Sequence, residues 1–326
     1  MARAAYHKAH KGGAPARLAR RFAFLVASLL AVSFVIFSVM AAVPGDPAEI
    51  MLGTSAAPDT LAALRHQLGL DQPFLLRYIG WLGGVLTGDF GTSYTYSTPV
   101  GTLIAERLAV TLPLAGLAIL LSVTIALPLG VLAAARPNGP VDLFAALFAQ
   151  IGIAVPNFWI GLLLILAVAL TFGWFPAGGF PDWESGFLTA LNALALPAIA
   201  LAIPQAAVLT RVTRTAVIEI ATEDFVRTAR AKGATPAYAL WRHVVPNALI
   251  PVVTMLGMQI SVLVAGTVLV ENVFTLPGMG TLAYQALAQR DLIVVQNVAL
   301  LFAVIVMGLN FIVDALYAVI DPRLRR

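Results

Sequence analysis

Six stretches without a charged side chain set the limits on this chain: residues 22–45, 108–135, 143–181, 185–210, 244–270 and 292–313. A helix needs about 20 mostly apolar residues to cross a bilayer core, and each stretch meets that length. The third is too long for one helix. Its span is expected to end near Phe172, where Gly173-Trp174-Phe175-Pro176-Ala177-Gly178-Gly179 interrupts it. The composition agrees: 60% hydrophobic residues, 11% charged residues and a mean hydropathy of +0.90, against about 25% charged in a soluble domain. The expected fold is an all-α membrane protein of six transmembrane helices.

Six spans put both termini on one side, and the basic residues say which. Arg3, Lys8, Lys11, Arg17, Arg20 and Arg21 precede the first span. Arg136 follows the second; Arg211, Arg214, Arg227, Arg230, Lys232 and Arg242 surround the loop after the fourth; Arg323, Arg325 and Arg326 close the chain. The opposite side has Arg65, Arg77, Arg107 and Arg290. Of 20 basic residues, 16 therefore lie on the side of the termini, which the positive-inside rule makes cytoplasmic. Ten of the 16 acidic residues, Asp46, Glu271 and Asp291 among them, fall on the outer side. The pI of 9.6 is thus a topology signal, and no nucleic-acid partner is expected. The expected order is a basic cytoplasmic N-terminus (1–21), a first span (22–43), an outer segment (44–107), spans near 108–135, 143–172, 188–210, 247–270 and 292–316, and a cytoplasmic C-terminus (318–326). The first apolar run exceeds a signal-peptide core, so it reads as a retained span.

Pro113, Pro128, Pro156, Pro197, Pro204 and Pro251 lie inside the apolar stretches. An interior proline costs a soluble helix about 3 kcal/mol, whereas neighbours in a membrane bundle re-satisfy the freed carbonyls. Two readings stay open: kinks along a moving or hydrated seam, and ordinary irregular packing.

Several chemistries are excluded. The chain has no cysteine, so thiol and thiolate-metal chemistry are absent. Its four histidines are scattered, apart from His7 and His10 in the basic tail, and no metal site, catalytic residue or cofactor is expected. Lys8, Lys11 and Lys232 are the only lysines, and none sits in a Walker A motif. Asp89-Phe90-Gly91 matches a kinase triplet by chance. An ion-coupled transporter would carry acids, His or Lys within its spans, and a membrane hydrolase would need a base at membrane depth; the six stretches supply neither. A non-transporting scaffold remains an alternative, as does the ion-coupled reading in weaker form.

The outer segment reads as a helical cap. Pro58-Asp59-Thr60 opens a helix with Asp59 or Thr60 as N-cap, and Gly69 stops it. Residues 73–86 form a second amphipathic stretch, followed by a turn at Gly88-Asp89-Phe90-Gly91 and a short extended piece at Ser93-Tyr94-Thr95-Tyr96. The cap is either a plain outer covering or a docking surface.

The loop at 219–246 is the most informative part. Glu223 and Asp224 sit in the first turn of a helix, and Arg227, Arg230 and Lys232 toward its end, as the macrodipole favours. Gly233 is the expected C′ stop. Thr235 caps a second short helix with Pro236 at its first position, and that helix carries Tyr238, Leu240, Trp241 and Val244. Bulky apolar side chains on a short loop helix pack on something: the bundle itself, or the groove of a partner.

Ala229-Arg230-Ala231-Lys232-Gly233, then nine residues, then His243-Val244-Val245-Pro246, resembles the EAA loop of ABC-importer permeases, in the form found in the peptide/nickel family, B-type subunit. Pro44-Gly45-Asp46-Pro47, Leu68-Gly69-Leu70-Asp71, Pro156-Asn157-Phe158-Trp159, Asn247-Ala248-Leu249-Ile250-Pro251, Glu271-Asn272-Val273-Phe274 with Pro277-Gly278-Met279-Gly280, and Asp321-Pro322-Arg323 fit the same family. The resemblance implies a type I permease fold, a transmembrane domain over 98–317, and a place in a bacterial inner membrane. It implies three kinds of partner besides the lipid bilayer: a second related permease subunit, two cytoplasmic ATP-binding-cassette ATPases carrying ATP and Mg, and an extracytoplasmic binding protein for a peptide or similar small solute. Ala229, Ala231, Lys232, Gly233, Tyr238, Leu240, Trp241 and Pro246 would then form the ATPase-coupling loop. Arg227 stands where the general loop has a glutamate, so that glutamate's salt-bridge role does not carry over. Glu271 is the acidic residue expected at the mouth of the pathway, with a plain carboxylate in water as the other reading.

Overall fold

The computed structural model describes residues 14–53 and 56–320. In chain order its helices are α1 (Ala14–Ala42), α2 (Pro47–Leu52), α3 (Pro58–Gln67), α4 (Phe74–Thr87), α5 (Val100–Ala135), α6 (Pro140–Ala154) and α7 (Asn157–Leu164). A π turn (Ile165–Leu170) extends α7. Then come α8 (Phe187–Ala221), α9 (Asp224–Ala231), α10 (Pro236–Ala239), a second π turn (Leu240–Val244), α11 (Val245–Val273), α12 (Met279–Ala288) and α13 (Leu292–Ile320). Five helical runs are long and apolar enough to cross a membrane, and a bent pair makes the sixth if read as one span. The basic residues before Ala14 and the closing Asp321-Pro322-Arg323 lie outside the described residues.

The third span departs from expectation. It is not one helix over 143–172 but two, Pro140–Ala154 and Asn157–Leu170, bent by 103°. Pro156 is the cause: it forces Val155 into an extended conformation (φ −94°, ψ 124°). The other interior prolines stay inside continuous helices. The cap of α3 also differs: Ala57 is the N-cap and makes no side-chain bond, with Asp59 one step inside the first turn. Pro58 at the first helical position fixes that frame.

The chain divides into two compact units, residues up to Ile104 with those from Gln285, and Ala105–Tyr284. In the first, α1 packs against α13 and α4. Phe37 is buried and meets the rings of Phe74, Tyr78 and Trp81 at 5.2, 5.5 and 5.6 Å. The Ser33 and Tyr78 hydroxyls are 2.9 Å apart. Arg65 pairs with Asp46 and Glu49, tying α3 to α2. The expected short extended piece is a turn closed by one antiparallel bridge, Thr92 with Pro99.

In the second unit α8 is the most buried span, with half of its most apolar window covered. It packs on α6, α7 and α11. Its buried face is rich in alanine (Ala190, Ala193, Ala198, Ala200, Ala206, Ala207), which lets backbones approach closely, as in lipid they must to gain packing. A Cβ on Gly152 of α6 would stand 2.6 Å from the Ala207 Cβ. Leu114, Leu194, Leu201, Leu263 and Phe274 fill the centre.

Gly152→Val therefore forces α6 off α8, at a cost of about 1–3 kcal/mol. The variant is expected to lower the Tm of the purified protein, while Gly116→Ala, whose Cβ meets open space, leaves it unchanged or higher. Equal melting of the two variants would contradict this packing.

Candidate functional site

The segment between α8 and α11 is anchored on one face and bare on the other. α9 has Asp224 in its first turn and Arg230 in its last, matching the helix dipole. Lys232 caps it, and Gly233 follows at φ +95°, a region costly for residues with a side chain. The Thr235 hydroxyl accepts from the Tyr238 N–H at 3.3 Å and so caps α10, with Pro236 first in the helix. Val226, Ala239 and Val244 are buried with Val131, Ala216, Val217 and Ala248.

The outward residues are large and apolar. Phe225 is 44% exposed, Tyr238 56% and Trp241 58%. Tyr238 lies edge-on to His243, with ring centroids 5.9 Å apart. Ala231, Lys232, Gly233 and Pro246 are exposed too, whereas Ala229 and Leu240 are half-buried. Arg227 faces Asp224 at 3.9 Å, both in the open. Both readings of the loop are thus present on different faces: the inner face packs on its own bundle, and the aromatics are left uncovered.

The second loop helix was expected to be separate from a span beginning at 247. Instead α10, the π turn Leu240–Val244 and α11 form one helical run, Pro236–Val273. The wide turn ends two residues before Pro246, which has no N–H to donate. Tyr238 and Trp241 therefore lie on the same helical run as α11.

At the other end of this run sits Glu271, and here the sequence reading is corrected. Glu271 is 0% exposed, so it is neither a carboxylate in water nor one facing an open mouth. One oxygen accepts from the Thr111 hydroxyl at 2.7 Å; the other accepts from the N–H groups of Gly280 at 2.7 Å and Thr281 at 3.3 Å. The Thr111 hydroxyl in turn accepts from the Met279 N–H at 2.8 Å. The carboxylate thus holds the N-terminus of α12, where backbone N–H groups lack helical partners and negative charge is favoured. It also explains two glycines. A Cβ on Gly278 would overlap the carboxylate, and one on Gly280 would overlap Val268.

One polar pair was invisible in the sequence. Arg214 on α8 forms a two-pronged ion pair with Asp142 on α6, and Asp142 also accepts from the Asn138 N–H at 2.8 Å. Both residues lie just beyond the uncharged stretches, because the helices run further than those stretches do. Among the described residues no cluster of His, Asp or Glu has the makings of a metal site.

Two family models match the chain. The binding-protein-dependent transport system inner membrane component matches residues 126–326, and the N-terminal component of the same systems matches residues 16–115. A putative peptide transport system permease protein of Brucella abortus is 38% identical over 95% of this chain and 99% of its own length. The oligopeptide transport system permease protein AppB of Bacillus subtilis is 38% identical over the same shares of each chain. Among solved structures, the MetNI methionine ABC transporter in an inward-facing form has a TM-score of 0.55 at 21% identity, covering 67% of this chain and 96% of that one; the likeness is one of fold. The chain belongs to the binding-protein-dependent transport system inner membrane component family. It is a multi-pass inner-membrane permease subunit of an ABC importer, with the type I fold, and works with ATPase and binding-protein partners.

The Glu271 latch can be tested by its coupling to Gly278. Gly278→Ala is expected to lower stability by about 1–3 kcal/mol in the native background. It should cost far less when Glu271→Ala has removed the carboxylate. Strict additivity in thermal unfolding of the four proteins would show that the two residues do not meet.

Proposed function

We propose that this chain forms half of the transmembrane pathway of an importer for peptides or a similar small solute. Its other half is a second, related permease subunit. Two cytoplasmic ATP-binding-cassette ATPases supply the work, with ATP and Mg bound on them and no cofactor or catalytic group in this chain. An extracytoplasmic binding protein delivers the solute. Both termini lie in the cytoplasm, a reading supported by the 16 to 4 division of basic residues. The names of the Brucella and Bacillus relatives support the peptide class.

One observation carries the mechanism. Phe225, Tyr238 and Trp241 stand exposed on short helices whose inner faces are buried. Exposed aromatic side chains of this kind are anchors that fill a groove in a partner, and here the groove is on an ATPase. Closure of the ATPases displaces Tyr238 and Trp241. Because α10 passes into α11 without a break, the displacement becomes a tilt of α11 and opens the pathway on the far side. Gly233 provides the turn that presents α10 at the required angle.

A cysteine at exposed Ala237 is expected to crosslink to the ATPase in the assembled importer, and repeated failure with intact complex would sink the docking. Trp241→Ala should cut peptide uptake by about tenfold or more, a loss of roughly 1.4 kcal/mol or above in coupling, with the Tm unchanged. Gly233→Val should abolish uptake while the protein still inserts. Wild-type uptake in that variant at normal protein levels would refute the role of the turn.

A further inference from the structure

The first unit holds a cavity of about 800 Å³, bounded by the ends of α1 and α13, by α4 and by the loops beside it. Its walls are of two kinds. Phe37, Met40, Leu76, Trp81 and Ile293 form an apolar side. Arg77, Tyr94, Gln296, Gln72, Asp71 and Asp89 form a polar side. Asp46 and Arg65 also reach the cavity, but they are paired with each other.

The polar side has unmade hydrogen bonds. Gln296 is 8% exposed, yet its amide has no partner among the described residues. Its amide atoms open onto the cavity, where an occupant can bond them. The Arg77 guanidinium, the Tyr94 hydroxyl and the Asp71 carboxylate are likewise unpaired among the described residues. Asp89 spends one oxygen on the Gly91 N–H at 2.9 Å. Burial, reinforced by the Asp291 carboxylate, raises the Tyr94 hydroxyl above its usual range, with Arg77 acting the other way. Tyr94 is therefore a neutral donor at any physiological pH. The cavity thus offers a cation and two neutral donors for an anion, with two carboxylates in the same lining for a cation.

The helix beside it has a membrane character of its own. α4 is apolar but has 14 residues, too few to cross a bilayer. Its Tyr78 and Trp81 side packs on Phe37, while Leu75, Ile79 and Leu86 are exposed on the remainder. A short helix with a bare aliphatic face suits the headgroup and acyl-chain boundary.

We propose that this cavity binds an aminophospholipid. Its phosphate sits against Arg77, Tyr94 and Gln296, its ammonium group toward Asp71 and Asp89, and an acyl chain runs over Leu76 and the bare face of α4. A headgroup carrying both charges fits a lining that carries both, and a lipid supplies the apolar portion that the Phe37 and Ile293 wall selects. The site lies wholly within the first unit and stands or falls independently of the transport reading.

The test is native mass spectrometry on the assembled importer, delipidated and then exposed to vesicles of phosphatidylethanolamine, phosphatidylglycerol or phosphatidylcholine. The wild type is expected to recover one phosphatidylethanolamine per copy of this chain. Arg77→Gln should weaken retention about tenfold or more, as loss of a charge-assisted hydrogen bond does. Gly80→Leu should exclude the lipid by filling the cavity; a Cβ at Gly80, which lines it, meets nothing within 4 Å, so the variant has room to fold. Retention that is unchanged in both variants overturns the site. Equal recovery of phosphatidylglycerol or phosphatidylcholine overturns the assignment of an ammonium partner to Asp71 and Asp89. Displacement by millimolar inorganic phosphate means that a free anion, not a lipid, is the occupant. If neither variant assembles, selective recovery of phosphatidylethanolamine by the wild type still supports the proposal, and no recovery defeats it.

Discussion

In hydrocarbon no backbone polar group can turn to water, and every feature of this fold answers to that constraint. Prolines show how it is met. Pro113 has no N–H for the carbonyl of Ala109, four residues earlier, and the Trp183 indole N–H takes that carbonyl at 3.0 Å. Hydroxyls on the same helices bond back to their own carbonyls: Ser122 to Ile119 at 2.8 Å and Thr254 to Ile250 at 3.0 Å. At Pro156, where the chain does break, the Asn157 side chain accepts from the Phe158 N–H at 2.8 Å and so covers the new helix start. Its amide reaches the Gly266 carbonyl at 3.5 Å, which ties the break to α11. The carbonyl freed by Pro113 is thus bonded, and among the described spans only the one broken at Pro156 bends sharply.

The buried carboxylates follow the same logic at helix ends. Among the described residues each unit has one acidic side chain with no exposure at all, Asp291 in the first and Glu271 in the second. Each sits at the start of a helix whose first N–H groups need acceptors. Glu271 serves α12. Asp291 precedes α13 and also accepts from the Ser93 hydroxyl and the Thr95 N–H, the latter at 3.1 Å, clamping the turn that Thr92 and Pro99 close. A surplus of acids on one side of the membrane has little topological weight. Two of those acids are there because helix starts are anion sites.

Span number, the outer cap and the local grammar of the loop were legible, because they depend on hydrophobic length and on residues within four or five positions of each other. Thr235, Pro236 and Gly233 sit where capping rules put them. What was not legible depends on pairs far apart in the chain. Thr111 and Glu271 are 160 residues apart, Arg214 and Asp142 are 72, and Ser93 and Asp291 are 198. No periodicity reports such pairs. The sequence neighbours of Glu271, an outer turn with two glycines, therefore point to a residue in the open. The glycines were the clue to the opposite answer: residues without a Cβ, set seven and nine positions on, leave room for a carboxylate folded back on the turn. The fusion of α10 with α11 was hidden for another reason. A proline after a basic loop reads as a boundary, whereas a π turn lets the helix pass it.

That fusion decides how force can travel. The run from Pro236 to Val273 has 38 residues, roughly 57 Å at 1.5 Å per residue. A flexible joint between α10 and α11 would let a partner move the loop without moving the span. A continuous helix converts the same push into a tilt, and a tilt displaces the far end most. At the far end the carboxylate of Glu271 joins α11 to Thr111 on α5 and to the start of α12 through buried bonds. Such bonds are costly to break and leave unpaired, since each exposes a group that has no water to turn to. On the proposed docking the three elements would move together, with exposed Trp241 and buried Glu271 at the two ends of one helical run.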